Sequence, residues 1–286
     1  MLIILNGCGF VGSNFKSRIQ VSKYICVHLE EQSRPLNENC VIAQDLEVFI
    51  HNSYKIYVID LYTPNKLLIS NMILGENEEI YIHKWKSVVD FLHRYEIVKY
   101  IMVSSSSIYP FHGELHLHTE ECPISDETLY SRVKHFQESY LTNLDHSEIK
   151  ILRLPNVYGP FDRYSNSLVA KILKSKDSSV QITLLKGAYR DYLYVEDFCD
   201  LLESVLQNSH GGKVLNVGTS IATDAPALVE IFEEATGWKP NVEIRQAINT
   251  SNNTVANSET LKLYNWSPTI FLSQGISLLN NSNESV

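Results

Sequence analysis

The stretch LIILNGCGFVGSN, Leu2 to Asn14, decides the fold. Its four apolar residues read as a buried strand. Gly7, Gly9 and Gly12 follow at the spacing Gly-x-Gly-x-x-Gly, with a helix next. Glycine permits the tight turn and lets a pyrophosphate approach the backbone, and the helix N-terminus then faces that negative charge. The pattern alone is weak, but directly after a strand and before a helix it is the arrangement of a dinucleotide-binding βαβ unit. About 18 residues past Gly12 the second strand ends at Glu30-Glu31. A carboxylate there accepts from a ribose 2′-hydroxyl and repels a 2′-phosphate, so NAD is the expected cofactor. Arg34, close by, keeps NADP compatible with the same turn.

Outward from this turn, short apolar runs alternate with helical patterns. The expected strands are Leu2–Leu5, Tyr24–Leu29, Val41–Ala43, Lys55–Ile59, Tyr100–Ser104 and Lys150–Leu154. Between two of them Ile82, Trp85, Val88, Val89 and Leu92 recur at helical spacing within Ile80–Tyr95. Continuous apolar strands between helices predict a doubly wound α/β fold of Rossmann type, its parallel sheet covered on both faces. After Pro155 the texture changes. Helices are predicted at Ser167–Ser175, Val195–Gln207 and Ala225–Thr236, the last stopped by Gly237, with strands in VQITLL and VLNVG. The expected organisation is a dinucleotide-binding domain over residues 1–155 and a smaller C-terminal substrate-binding domain over 156–286, with segments near 192–220 returning to the first sheet. Residues 249–257 read as a loop and the final NNSNESV as a frayed end.

Composition narrows the partners. A net charge of −9 over 286 residues disfavours nucleic acid, which calls for a basic surface. No apolar run approaches a membrane span and no signal peptide precedes the first strand, so a cytoplasmic protein is expected. Five cysteines, an odd number without Cys-x-x-Cys, read as reduced and mostly buried thiols.

Tyr-x-x-x-Lys occurs three times, at Tyr62–Lys66, Tyr95–Lys99 and Tyr130–Lys134. The first contains Pro64, which disfavours a helix interior, and the second crosses from a helix end into a strand. Only Tyr130 and Lys134 stand one above the other on a helix, predicted over Asp126–Leu144 with an apolar stripe of Leu129, Val133, Phe136 and Tyr140. The bland alternative for Lys134 is an exposed pair with Glu138 one turn on.

From VSSSSIYP at Val103–Pro110 the order of motifs becomes specific: GCGFVG, Asp45-Leu46, SSSSIY, YSRVK, RLPNVYGP, RDYLYVEDF, VLNVGT and LKLYNWSPT. Together they resemble the extended short-chain dehydrogenase/reductases of the NAD-dependent epimerase/dehydratase family, which act on nucleotide sugars. The resemblance spans nearly the whole chain. It implies Ser105, Tyr130 and Lys134 as the catalytic set, with Lys134 also holding the nicotinamide ribose. It implies cofactor contacts from Gly7, Gly9, Phe10, Val11 and Gly12 of the turn, from Glu30, Asp45 and Leu46, and from Tyr130 beside Lys134. It assigns the substrate's diphosphate to Asn156, Arg190 and the Asn166-Ser167-Leu168 segment, places Ser106 on the substrate side, and sets the site in the cleft between the two domains. A homodimer through the 80–95 and 126–144 helices is a further implication. A phenol with a pKa near 10 is a poor base at neutral pH, and an adjacent ammonium favours its phenolate.

Three departures qualify the resemblance. Asn6 stands where most relatives have a glycine, and asparagine tolerates left-handed backbone better than other non-glycine residues. Ser106-Ser107 occupy positions where 4,6-dehydratases carry Asp-Glu, and two hydroxyls cannot supply the acid and base of an elimination. RQAINTSNNTVAN, with Arg245, lacks the acid that relatives use beside the nucleotide. His112, His116 and His118 could in principle hold zinc, but the family chemistry needs no metal, so no metal is expected and these histidines should be exposed or face substrate. The reading that follows is a nucleotide-sugar 4-epimerase working through a 4-keto intermediate. A 4-ketoreductase using NADPH or NADH is the alternative, and a non-catalytic dinucleotide-binding protein the third.

Overall fold

The computed structural model describes residues 1–19, 24–29, 40–51, 54–63, 78–110, 115–145, 148–160, 167–176, 181–246 and 259–281. Glu30, Glu31, Arg34, His112, Asn166 and the 249–257 stretch fall outside them. The described chain divides into two compact units: Met1–Ile108 with Ile124–Leu152 and Gly212–Val214, and Tyr109–Pro123 with Arg153–Gly211 and Leu215–Val286.

The first unit is built on β1 (Leu2–Leu5), β2 (Tyr24–His28), β3 (Cys40–Ile42), β4 (Ile56–Asp60) and β5 (Ile97–Ser105), with helices α1 (Phe10–Arg18), α2 (Glu78–Leu92) and α3 (Leu129–Thr142). With β6 (Ile149–Leu154) and β10 (Val214–Asn216) these strands make a seven-stranded parallel sheet in the order β10-β6-β5-β4-β1-β2-β3. All four residues of β1 and all six of β6 are buried. That is why they are continuously apolar or carry paired polar groups, where a half-exposed strand would alternate. The order reverses on either side of β1, which pairs in register with both β2 and β4. A doubly wound sheet binds ligand at such a switch point, outside the carboxyl ends of its strands, and the glycine turn emerges there.

α3 departs from the predicted stripe. Its buried residues are Ser131, Val133, Lys134, Gln137, Glu138 and Leu141, a face that is mostly polar. Phe136 and Tyr140 are half-buried and meet Trp85 of α2 edge-on, at 6.5 and 5.7 Å between ring centroids. The apolar residues serve the contact with α2, while the polar ones turn towards β5. Thr128 caps the helix in a reciprocal capping box with Ser131, which starts it one residue before Tyr130.

The second unit holds β7 (Asn156–Tyr158) paired with β9 (Tyr192–Tyr194), β8 (Ile182–Lys186) paired with β11 (Val242–Gln246), and helices α4 (Leu168–Lys174), α5 (Val195–Gln207), α6 (Ala225–Thr236) and α7 (Leu272–Asn281). α5 and α6 have the predicted bounds, and Gly237 ends α6 with φ of 66°, a conformation costly for a side-chain-bearing residue. β7, β9, β11 and α7 have no counterpart among the predicted elements, and α7 takes in Asn280 and Asn281, which the sequence pattern assigns to the frayed end. Buried Asp197 on α5 explains two of the motifs at once. Its carboxylate accepts from Thr269 Oγ1 at 2.7 Å and from the Thr269 and Ile270 N–H groups, and its carbonyl accepts from Trp266 Nε1 at 2.7 Å. The closing NWSPT segment is thereby fastened to YVEDF. Among the described residues no helix is long and apolar enough to cross a membrane.

Candidate active site

The glycine turn shows two different uses of a missing side chain. A Cβ on Gly12 would stand 2.3 Å from the Gly7 carbonyl oxygen, so Gly12 lets α1 pack directly on the turn. A Cβ on Gly9 would meet nothing nearer than 3.8 Å. Gly9 is exposed and is the N-cap of α1, which no side chain caps, so a pyrophosphate has both the space and the helix N-terminus it needs. Asn6 adopts φ of 53°, the left-handed conformation its position demands. Asp45 is exposed on a 3-10 turn over Ala43–Val48, while Leu46 beside it is buried in the core.

Lys134 is 1% exposed. Its ammonium donates to the Tyr62 carbonyl at 2.7 Å and the Val103 carbonyl at 2.9 Å, beyond the end of β4 and near the end of β5. Glu138, one turn on, is also buried and accepts from Ser104 Oγ, so the exposed surface pair is not what forms. The Val103 carbonyl that Lys134 reaches stands two residues before Ser105, the last residue of β5. Ser105 Oγ donates to Ser107 Oγ at 3.1 Å and accepts from the Ser107 N–H at 3.2 Å, a turn that fixes the strand end. Ser106 is buried. Tyr130 is half-buried on the first turn of α3, one helical turn before Lys134. Beneath Lys134, buried Asp60 accepts from Trp85 Nε1 at 2.6 Å, Tyr100 Oη at 2.7 Å and the Tyr62 N–H at 2.9 Å. Burial raises the Asp60 pKa, against the opposing pull of the Lys134 charge and these three donors. Asp60, Trp85 and Tyr100 give no signal in the sequence, since an aspartate ending a strand carries no distinctive spacing.

In the second unit the pairing of β7 with β9 brings Asn156 to Asp191, the residue after Arg190. Asn156 Nδ2 donates to the Asp191 carbonyl at 3.1 Å, and Arg190 exchanges backbone hydrogen bonds with Thr223 at 2.9 Å. The Asp191 carboxylate is taken up by Thr219 and Ser220, including Thr219 Oγ1 at 2.5 Å. Leu168, half-buried, opens α4 behind the N-cap Ser167 and packs into the unit's core.

The histidines correct an expectation. His118 is fully buried, stacks on Tyr109 at 4.7 Å and faces the Pro110 carbonyl at 3.2 Å, so it is a core residue. Tyr109, the tyrosine of SSSSIY, is itself buried, donating to Asn216 Oδ1 and accepting from Arg153. His116 is exposed, as expected.

Residues 77–218, which carry Ser105, Tyr130 and Lys134, match the sequence model of the NAD dependent epimerase/dehydratase family. The chain belongs to this family. Its fold is similar to UDP-glucose 4-epimerase from Bifidobacterium longum, solved in complex with NAD⁺ and UDP, with a TM-score of 0.77 and 18% identity, covering 98% of this chain and 97% of that one. It is similar to dTDP-glucose 4,6-dehydratase from Bacillus anthracis, in complex with NAD, with a TM-score of 0.75 and 19% identity over 97% and 94% of the two chains. A dTDP-glucose 4,6-dehydratase of Streptomyces griseus is 23% identical over 54% of this chain and 48% of its own length. Family members thus include both epimerases and dehydratases of nucleotide sugars.

Proposed function

We propose that the protein is a nucleotide-sugar 4-epimerase with NAD⁺ as its cofactor. The observation that carries this reading is the burial of Lys134. Removing an ammonium from water costs several kcal/mol, a cost that ordinary helix surface never meets. Here two carbonyls orient it beside the serine strand end and one turn below Tyr130.

When bound, the dinucleotide supplies an acceptor and donor of hydride, and the open Gly9 backbone and uncapped α1 N-terminus suit its pyrophosphate. Lys134 stabilises the phenolate of Tyr130 by its charge. Tyr130 takes the proton of the sugar's C4 hydroxyl as general base and returns it once the 4-keto sugar has turned over. Ser105 hydrogen-bonds the reacting oxygen, and Arg190 and Asn156 hold the diphosphate, the guanidinium through its bidentate fork. Ser106 and Ser107 offer neither the acid nor the base that 4,6-elimination needs, which is the ground for preferring epimerisation over dehydration.

Mass spectrometry of nucleotide released on denaturing protein purified without added cofactor tests this reading. Stoichiometric NAD is expected, since an epimerase keeps its hydride carrier through both half-reactions. An empty site that takes up NADPH on titration would instead support a 4-ketoreductase. Binding of neither would overturn both.

A further inference from the structure

Three of the five cysteines, at positions 8, 26 and 40, converge in the first unit with His28. Cys26 and His28 alternate on β2 and so project from one face. Cys40 opens β3 as the register partner of Cys26, and Cys8 sits in the turn after β1, between Gly7 and Gly9. Cys8 Sγ lies 3.1 Å from Cys40 Sγ. One ligand atom from each of Cys8, His28 and Cys40 lies within 4.8 Å of the others. Cys26 Sγ lies against the same turn, 2.9 Å from where a Cβ on Gly7 would stand. Cys26, His28 and Cys40 are buried and Cys8 is half-buried. His28 Nδ1 is buried with no hydrogen-bond partner among the described residues, a cost a core histidine ordinarily avoids.

We propose that Cys8, His28 and Cys40 bind a borderline-soft divalent transition metal of the Zn²⁺ class, with Cys26 completing a Cys₃His shell. Sulfur and imidazole are the ligands that such an ion selects. Three thiolates on a dication leave one negative charge, and Lys16, whose Nζ is 3.3 Å from Cys8 Sγ, balances it. Zn–S bonds of about 2.3 Å in a tetrahedron put sulfurs roughly 3.8 Å apart, so Cys8 and Cys40 need to separate by about 0.7 Å. A disulfide, with sulfurs about 2.0 Å apart, needs them to close by about 1.1 Å. The ion would tie the cofactor turn to β2 and β3, a structural role independent of turnover.

The test is metal analysis of the full chain, purified reducing and chelator-free, followed by Co²⁺ titration of the metal-stripped protein. One zinc per chain is expected, and cobalt should give thiolate-to-metal charge transfer with the intense visible bands of a tetrahedral ion. Cys40→Ser and His28→Gln should each weaken cobalt binding by more than about 100-fold, beyond what loss of an outer-shell partner does. Cys122→Ser should leave it unchanged. Reduced wild-type protein that takes up neither ion overturns the proposal, whatever the variants do. So does a weak octahedral cobalt spectrum without charge transfer, or a Cys8–Cys40 disulfide in protein that still binds no metal after reduction.

Discussion

Lys134 and Asp60 are joined through the backbone of Tyr62. The ammonium donates to the Tyr62 carbonyl at 2.7 Å, and Asp60 Oδ1 holds the Tyr62 N–H at 2.9 Å. The carboxyl group therefore fixes the main chain on which the lysine rests. Asp60 accepts three hydrogen bonds and donates none in its ionised form. Asp60→Asn puts an NH₂ group among donors and should cost about 1–3 kcal/mol of stability, read as a lower urea midpoint. An unchanged midpoint would mean that this buried network contributes nothing to the fold.

Tyr130→Phe removes the phenolic oxygen and little else from a half-buried position. Turnover should fall by about 10²- to 10⁴-fold, with the amount of co-purified dinucleotide unchanged. Lys134→Met should lower both, because that side chain is buried against Tyr62 and Val103. Equal activity in Tyr130→Phe and wild type would return the protein to the non-catalytic reading.

Gly9 and Gly12 should separate binding from stability. Gly12→Ala drives a methyl group to 2.3 Å from the Gly7 carbonyl and should lower the melting temperature whether or not dinucleotide is present. Gly9→Ala meets nothing within 3.8 Å and has φ of −81°, so the free protein should melt as wild type does. Its methyl group occupies the space we assign to the pyrophosphate, and dinucleotide affinity should fall at least about tenfold, measured by calorimetry. Unchanged affinity would move the pyrophosphate away from this turn.

The parts of this molecule that are legible in sequence share a physical cause. Strands β1, β2, β4, β5 and β6 are buried on both faces and therefore read as apolar runs. α5 and α6 carry strong periodicity and, for α6, an Asp224 cap and the Gly237 stop. β7, β9 and β11 are three to five residues long, and β11 is largely exposed, so no period establishes itself. α3 misleads for a different reason. Its buried face carries Lys134, Gln137 and Glu138, residues that normally mark solvent, because strand carbonyls and Ser104 satisfy the lysine and the glutamate. His118 misleads in the same way, as burial against Tyr109 leaves no trace in a polar local sequence. The convergence of Cys8, Cys26, His28 and Cys40 depends on strand order and register, which no linear spacing encodes.

Asp191 should give the protein a measurable pH dependence. Its side chain is fully buried, and burial pushes its pKa up from 3.8 to about 6 despite the hydrogen bonds from Thr219 and Ser220. The folded state therefore holds the proton more tightly than the unfolded chain. Between about pH 4 and 6 it binds more protons, so stability contributed by protonated Asp191 is fully present below about pH 4 and is lost as pH rises through about 6. The upper limit of that loss is roughly 3 kcal/mol, each tenfold change in proton affinity corresponding to about 1.4 kcal/mol. Asp191→Asn stays neutral and keeps an acceptor for the Thr219 and Ser220 N–H groups. Its urea midpoint should gain on that of wild type as pH goes from about 4 to 6, and the gap should then stay constant above about pH 7. Midpoints that run parallel across this window would show that Asp191 is already ionised at pH 4, its four hydrogen bonds outweighing its burial.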